Sequence, residues 1–410
     1  MKRQIKVAPS VDVVEVSVVK QAYAVVVKSQ VLQQAPQPAT SWSGVRDALS
    51  LADDCAQPKL QGAQPTTGSE DCLYLNVFVP TAASGSLPLM VHIHGGTFRT
   101  GSPSNGAPDY FVEKGVVMVS VAYRLGALGF VSLQNDDIPG NSGLKDQVLA
   151  LQWIQRNIAA FGGDPSRVVV FGESAGGCSV SHLFLSPATE GLFSGVIVES
   201  GVATTPWALT DKPRERAYRM AGRSGSRRRA ATTLTTTTRG KALPAPVHLA
   251  FVPVVEPPSD SAVIIEPPAD VLRAGSYNQV PIILGVTSGE GFVVYLSAGL
   301  LTEAGIADMK ENFTALVGSQ LPLPTEEQRT RAAQHLEQFF FGDDGFSTDD
   351  MQAVIDLFSD LYFIQPSNSF ATAVVDSSSI PVHFYYFDYN GPGYTKYAKT
   401  APLGVASIYR

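Results

Sequence analysis

Charge is scarce in this chain. Of its 410 residues only 16% are charged, against 44% apolar, and the net charge is −7. So apolar a composition excludes a chain that stays unfolded for want of a core, and 410 residues suffice for one large domain or two. An acidic balance gives no reason to expect a nucleic-acid partner. Long apolar runs are missing too: no stretch reaches the ~20 uninterrupted apolar residues of a transmembrane segment. The basic start at Met1-Lys2-Arg3 is not followed by a continuous apolar core, since Asp12, Glu15, Lys20 and Gln21 break Val11–Val27. No cleavable signal peptide is readable there. Cysteine is rarer still. Three cysteines allow at most one intrachain bridge. Cys55 and Cys72 flank a polar Gly/Pro/Thr-rich segment, and the residues alone leave open both a bridge and two buried thiols. Cys178 reads as a small core residue. Histidine is limited to six positions, 92, 94, 182, 248, 335 and 383.

What is present is an alternation. Val91–His94, Val116–Ala122, Val168–Phe171, Gly195–Glu199 and Pro281–Val286 are short Val/Ile-rich runs that stop at Gly, Ser or Pro. Continuous runs, unlike alternating ones, fit strands buried on both faces of a mostly parallel sheet. Between two of them Leu144, Val148, Leu151, Ile154 and Ile158 fall at helical spacing, with Gly162-Gly163 as the stop. Tyr74–Val79 and His383–Tyr389 are expected as further strands. The pattern predicts a three-layer α/β domain. Two stretches do not fit it. Gly222–Lys241 carries six basic residues, no acidic ones and a threonine run, and is expected to be a flexible low-complexity insert. The first forty residues are Val-rich without a clear turn pattern, and 1–34 is set apart as an atypical N-terminal segment.

The strongest chemical signal is Gly172-Glu173-Ser174-Ala175-Gly176-Gly177, after an apolar strand and before a segment able to be helical, Gly177–Leu185. Gly-x-Ser-x-Gly in a strand–turn–helix context is a nucleophile elbow. The serine sits in a tight turn, so the residues two before and two after must lack side chains. Its hydroxyl is then exposed, and the Ala175 N–H at the helix start faces a developing oxyanion. Upstream, His92-Ile93-His94-Gly95-Gly96-Thr97-Phe98 ends a strand in His-Gly-Gly, a loop type that supplies the other oxyanion donors. The N–H groups of Gly96 and Thr97 are expected in that role, with Gly95 permitting the turn and β-branched Thr97 stiffening it.

Longer motifs carry a resemblance. Gly68-Ser69-Glu70-Asp71-Cys72-Leu73-Tyr74-Leu75-Asn76-Val77 resembles the signature of type-B carboxylesterases and cholinesterases. So do Tyr123-Arg124-Leu125-Gly126, Gly140-Asn141-Ser142-Gly143-Leu144-Lys145-Asp146-Gln147 and Phe161-Gly162-Gly163-Asp164-Pro165. The likeness runs from about Ala35 to Gly195 and resumes from Phe251. It implies an α/β-hydrolase fold, with a central mostly parallel sheet flanked by helices, over a carboxylesterase domain spanning 35–410. It implies hydrolysis of small carboxylic esters through a serine acyl-enzyme, without metal or organic cofactor. Cys55 and Cys72 are then expected to pair. Thr287-Ser288-Gly289-Glu290-Gly291 matches the turn that carries the family's acid, which gives Glu290 the task of orienting a base.

The family's histidine follows a Gly-Val pair late in the chain. In Gly404-Val405-Ala406-Ser407 that position is Ser407. A Gly-Ile-Pro-Tyr-Ala-type opening segment and a helical tail are also not visible, so both ends are expected to be incomplete and the C-terminus truncated. Three readings follow: an impaired esterase, a cholinesterase-like domain kept for binding or adhesion, or a mispredicted fragment of an active esterase. The resemblance and the disulfide suggest a secreted or endomembrane-lumen protein, where Asn312-Phe313-Thr314 would be a glycosylation sequon. Oligomeric state is not legible.

Overall fold

The computed structural model describes residues 34–39, 51–58, 66–80, 85–106, 108–224, 251–297, 302–349 and 351–389. It adds short pieces at 6–7, 19–22 and 46–47 and single positions at 43, 50, 249 and 300. Most of the basic insert (225–241), His248 and Ser407 lie outside the described residues; Gly222–Ser224 close a helix.

Eight strands form one sheet: β1 (Val19–Ala22), β2 (Tyr74–Phe78), β3 (Leu87–Ile93), β4 (Val117–Val121), β5 (Gly163–Glu173), β6 (Gly195–Glu199), β7 (Ile282–Thr287) and β8 (Val382–Phe387). Their lateral order is β8-β7-β6-β5-β3-β4-β2-β1. The β1–β2 and β2–β4 pairs are antiparallel and every other pair is parallel. This is the mixed, mostly parallel sheet of an α/β-hydrolase. The inner strands are continuous apolar runs because helices cover both faces: every residue of β4 is buried. The edge strand β8 is different, with Phe384, Tyr386 and Phe387 exposed.

The helix expected from Leu144 begins two residues earlier. α1 (Ser142–Asn157) buries Leu144, Leu151 and Ile154, tightens into one 3₁₀ turn over Ile158–Phe161, and stops at Gly162 with φ 79°. α2 (Ala175–Leu185) is buried along its whole length between β5 and β6. Further helices are α3 (Pro213–Ser224), α4 (Pro268–Ala274), α5 (Gly291–Ser297), α6 (Glu303–Gly318), α7 (Glu326–Phe341), α8 (Met351–Ser359) and α9 (Gln365–Ser377). No helix among the described residues is long and apolar enough to cross a membrane.

Several motif residues turn out to be structural. The Arg124 guanidinium grips Asp146 through two bonds, Nε to Oδ2 at 2.8 Å and Nη2 to Oδ1 at 2.7 Å, with both residues buried. Asn141 donates to the Val254 carbonyl at 2.7 Å and to Glu256 Oε1 at 2.8 Å, and Lys145 pairs with Glu256. Buried charges are tolerable when paired and hydrogen-bonded. These contacts lock α1 to the segments after β4 and before α4. Cys55 and Cys72 are bridged, with Cα atoms 4.8 Å apart, closing a loop over a separation of 17 residues. Cys178 is a buried free thiol whose Sγ–H donates to the Val202 carbonyl at 3.4 Å.

Candidate active site

The carboxyl ends of β3, β5, β6 and β7 converge, and ligands of open α/β sheets bind at such ends. Each strand delivers one component. From β5 comes Ser174, half-buried, at φ 59° and ψ −122° between the strand and α2. A non-glycine residue in that region stores strain and persists only where its surroundings hold it. Three contacts hold this one. The Ser174 N–H donates to the Glu199 carbonyl at 2.9 Å, its carbonyl accepts from the Cys178 N–H at 2.9 Å, and flanking glycines let neighbouring backbone close in. A Cβ on Gly172 would lie 2.5 Å from the Ile93 carbonyl oxygen, and one on Gly176 only 2.1 Å from it. The elbow is therefore pressed directly against the end of β3.

From β3 comes the Gly95–Thr97 loop. Gly95 is there for a different reason from the turn expected of it: its φ is not positive, but a Cβ would lie 2.6 Å from the Glu173 carbonyl and 3.2 Å from Ser174 Cβ. Close approach to the serine needs the hydrogen. Gly96 makes the turn, with φ 110°, and its carbonyl accepts from the Arg99 and Thr100 N–H groups at 3.0 and 2.9 Å. The chain then continues through Thr97 at φ 59° and Phe98 at φ 57°. A β-branched residue there is costly, beyond the mild stiffening expected. Phe98 is anchored by full burial and an edge contact with Phe130. Among the described residues, no acceptor takes the N–H of Gly96, Thr97 or Ala175.

From β7 comes Glu290, fully buried in the turn before α5. Its Oε1 accepts from the Ser200 hydroxyl at 2.6 Å and the Thr287 N–H at 2.8 Å. Its Oε2 is buried with no partner among the described residues. Removal from water pushes the carboxyl up to about 7, and the bonds from Ser200 and Thr287 pull the other way. Ser200 follows β6 at φ 54°, its N–H bonded to the Gly285 carbonyl at 2.9 Å. Reading the sequence missed Ser200. The one available signal was local, a strand stopping at Glu199-Ser200-Gly201 much as β5 stops at Glu173-Ser174.

The described histidines are placed elsewhere. His92 and His94 are held down at about 4, burial being the main cause, and His94 Nδ1 lies 2.9 Å from the Gly95 carbonyl. His182 is also held at about 4 by burial, with Nε2 3.4 Å from the Ala208 carbonyl. Eight residues along α2 put its backbone roughly 12 Å from Ser174. It lines a mostly apolar cavity of about 200 Å³ with Leu185, Val263 and Val271, away from the serine. His335 sits on α7, and His383 is exposed on the edge strand β8. None of these five bonds to Glu290. Among the described residues no group of three or more His, Cys, Asp or Glu could hold a metal ion.

The carboxylesterase family model matches residues 30–407. Esterase FE4 of Myzus persicae is 30% identical over 379 residues, covering 87% of this chain and 66% of the relative. Pyrethroid hydrolase Ces2a of Mus musculus is 34% identical over 379 residues, covering 86% of this chain and 65% of the relative. Cholinesterase of Mus musculus is 38% identical over 296 residues, covering 64% and 48% respectively. The chain thus spans just under two thirds of the length of the first two and about half of the third.

Proposed function

Because the chain belongs to the carboxylesterase family, we propose that it acts on small carboxylic esters through an acyl-enzyme formed on Ser174. The observation that carries this reading is the elbow: a half-exposed serine held at φ 59° by a neighbouring backbone that only glycines at 172 and 176 admit. The Ser174 oxygen attacks the ester carbonyl. The oxyanion that forms takes the N–H groups of Gly96, Thr97 and Ala175, while Gly95 lets the loop approach. Preorganised donors of this kind are worth several kcal/mol at the transition state. Glu290 orients the base, and its partnerless Oε2 is the acceptor that an imidazole N–H would use.

The proposal includes slow turnover. A neutral serine needs a base within about 2.6–3.2 Å, and Ser407 stands where the resemblance puts histidine. A hydroxyl takes no proton near neutral pH. Losing the base of a serine hydrolase costs about 10⁶-fold, roughly 8 kcal/mol of barrier, and leaves about 10³–10⁴-fold over water from the oxyanion donors and binding. The competing reading, a non-catalytic binding or adhesion domain, is favoured by that same bare Oε2, which no described histidine reaches.

Hydrolysis of p-nitrophenyl acetate separates the two. The esterase reading expects near-background rates that, when imidazole is added, rise by more than imidazole alone hydrolyses the ester, with that excess absent in Ser174→Ala. If Ser174→Ala changes nothing at any imidazole concentration, the binding-domain reading stands. Brisk hydrolysis without imidazole, abolished by Ser174→Ala, would mean that a histidine of this chain serves as base. His248 and His383 would then be replaced first.

A further inference from the structure

Glu173 and Glu199 are the last residues of β5 and β6, and they are register partners across the parallel ladder. Partners on neighbouring strands stand about 4.8 Å apart and point to the same side, so the two side chains lie next to each other. The same row continues through Gly285 on β7 to Tyr385 on β8. A Cβ on Gly285 would lie 2.4 Å from the Tyr385 ring, so the bare glycine lets that ring lean across β7 towards the carboxyls. At the other end of the row, Glu173 Oε2 is 3.1 Å from where a Gly95 Cβ would be. The carboxyl is thus packed against the loop that presents Gly96 and Thr97.

The groups facing Glu173 come from every element around it. They are Glu199 on β6, Glu290 after β7, Tyr385 on β8, Cys178 on α2 and Tyr123 after β4. All are acids. None of the ion pairs among the described residues includes Glu173 or Glu199. Two adjacent carboxyls without a cation among the described residues cannot both ionise cheaply.

We propose that Glu173 and Glu199 share one proton beside the Gly95–Thr97 loop, and that losing it slows acylation of Ser174. The second half rests on Ser174 being the nucleophile; the first does not. The direction follows from charge. Removal from water, then the charges of Glu290 and Glu199, push Glu173 up to about 8, and burial raises Glu199 as well. Below that pH Glu173 is protonated; above it its negative charge appears next to the donors that would hold the oxyanion, and opposes the charge developing there. Tyr385, pushed far upward by burial and by the three carboxylates, stays protonated and keeps its O–H as a donor.

The test uses the full chain labelled with ¹³C at the glutamate carboxyls, titrated by NMR. One resonance should titrate near pH 8. It should vanish in Glu173→Gln, move to lower pH in Glu199→Gln, and persist in Glu290→Gln, shifted downward. In parallel, the labelling rate of Ser174 by excess fluorophosphonate should fall about tenfold across that titration. It should fall at lower pH in Glu199→Gln and not at all in Glu173→Gln. If the resonance lost in Glu173→Gln titrates below pH 6, the shared proton is refuted. If the resonance titrates but labelling follows the same pH profile in Glu173→Gln as in the parent chain, the effect on acylation is refuted and the pair stands. If Ser174 takes no label at any pH even with imidazole added as base, while the resonance titrates, the nucleophile assignment has failed and the pair is judged by NMR alone.

Discussion

Glu290 shows how much one hydroxyl can decide. Its Oε1 has two donors and its Oε2 none, in a site from which water is excluded. The Ser200 bond favours the charged form, so Ser200→Ala should raise the Glu290 carboxyl above its present value of about 7. A hydrogen bond to a charged buried group is worth about 1.5–3 kcal/mol. The variant should therefore lose about that much stability at pH 8.5, where the carboxylate is charged, and markedly less at pH 5, where it is protonated. Urea denaturation at both pH values measures the difference, and equal losses would reduce Ser200 to packing. This partnership was not legible in the sequence. The two residues are 90 positions apart, and only the register of β6 beside β7 brings them together. Glu290 itself is singled out in the sequence by the match of Thr287-Ser288-Gly289-Glu290-Gly291 to the acid-bearing turn of the family it resembles.

At the scale of elements, β5 and α2 meet β3 through backbone rather than side chains. Replacing Gly176 by alanine would set a Cβ 2.1 Å from the Ile93 carbonyl oxygen, and neither β3 nor the elbow can retreat without disturbing the sheet. Gly176→Ala should cost about 3 kcal/mol or more. Gly222 gives the contrast: it is exposed on α3 with nothing within 4 Å of a Cβ. There alanine should stabilise by about 0.5–1 kcal/mol through helix propensity and reduced unfolded-state entropy. Denaturation midpoints of the two variants should move in opposite directions, and a neutral Gly176→Ala would disprove the steric account of the elbow. That account was readable before the fold, since a Gly-x-Ser-x-Gly turn states its own steric needs. What no local pattern told was which carbonyl the glycines meet, or that Gly95 is small to clear Ser174 rather than to turn.

Over the whole molecule, buried titratable groups shape stability in opposite directions. His92, His94 and His182 are held near 4, so their folded forms resist protonation. Their contribution is complete above about 6.5 and is lost as pH falls towards 4. Glu173 and Glu290 are raised to about 8 and about 7 from a usual 4.5, so their contribution is complete below about 4.5 and is lost as pH rises towards 8. Between about 4.5 and 6.5 the two sets largely offset each other. The thermal-unfolding midpoint should accordingly form a plateau there, falling towards pH 4 and again towards pH 8, with the alkaline fall reduced in Glu173→Gln. A midpoint that climbs from pH 6.5 to 8 would contradict this. The sequence by itself determined every strand of the sheet but β1, the glycine-bounded elbow turn and the His-Gly-Gly loop, because continuous apolar runs and glycine-bounded turns express short-range sterics that neighbours in the chain already impose, while its longer motifs carried the resemblance to the family. Only the tertiary structure decided that Glu173 lies against Glu199, that Ser200 holds Glu290, and that five of the histidines stand away from Glu290's bare oxygen. Those facts depend on which strands become neighbours, in what register and how far from water, and such long-range distances and local dielectrics exist only once the sheet has assembled.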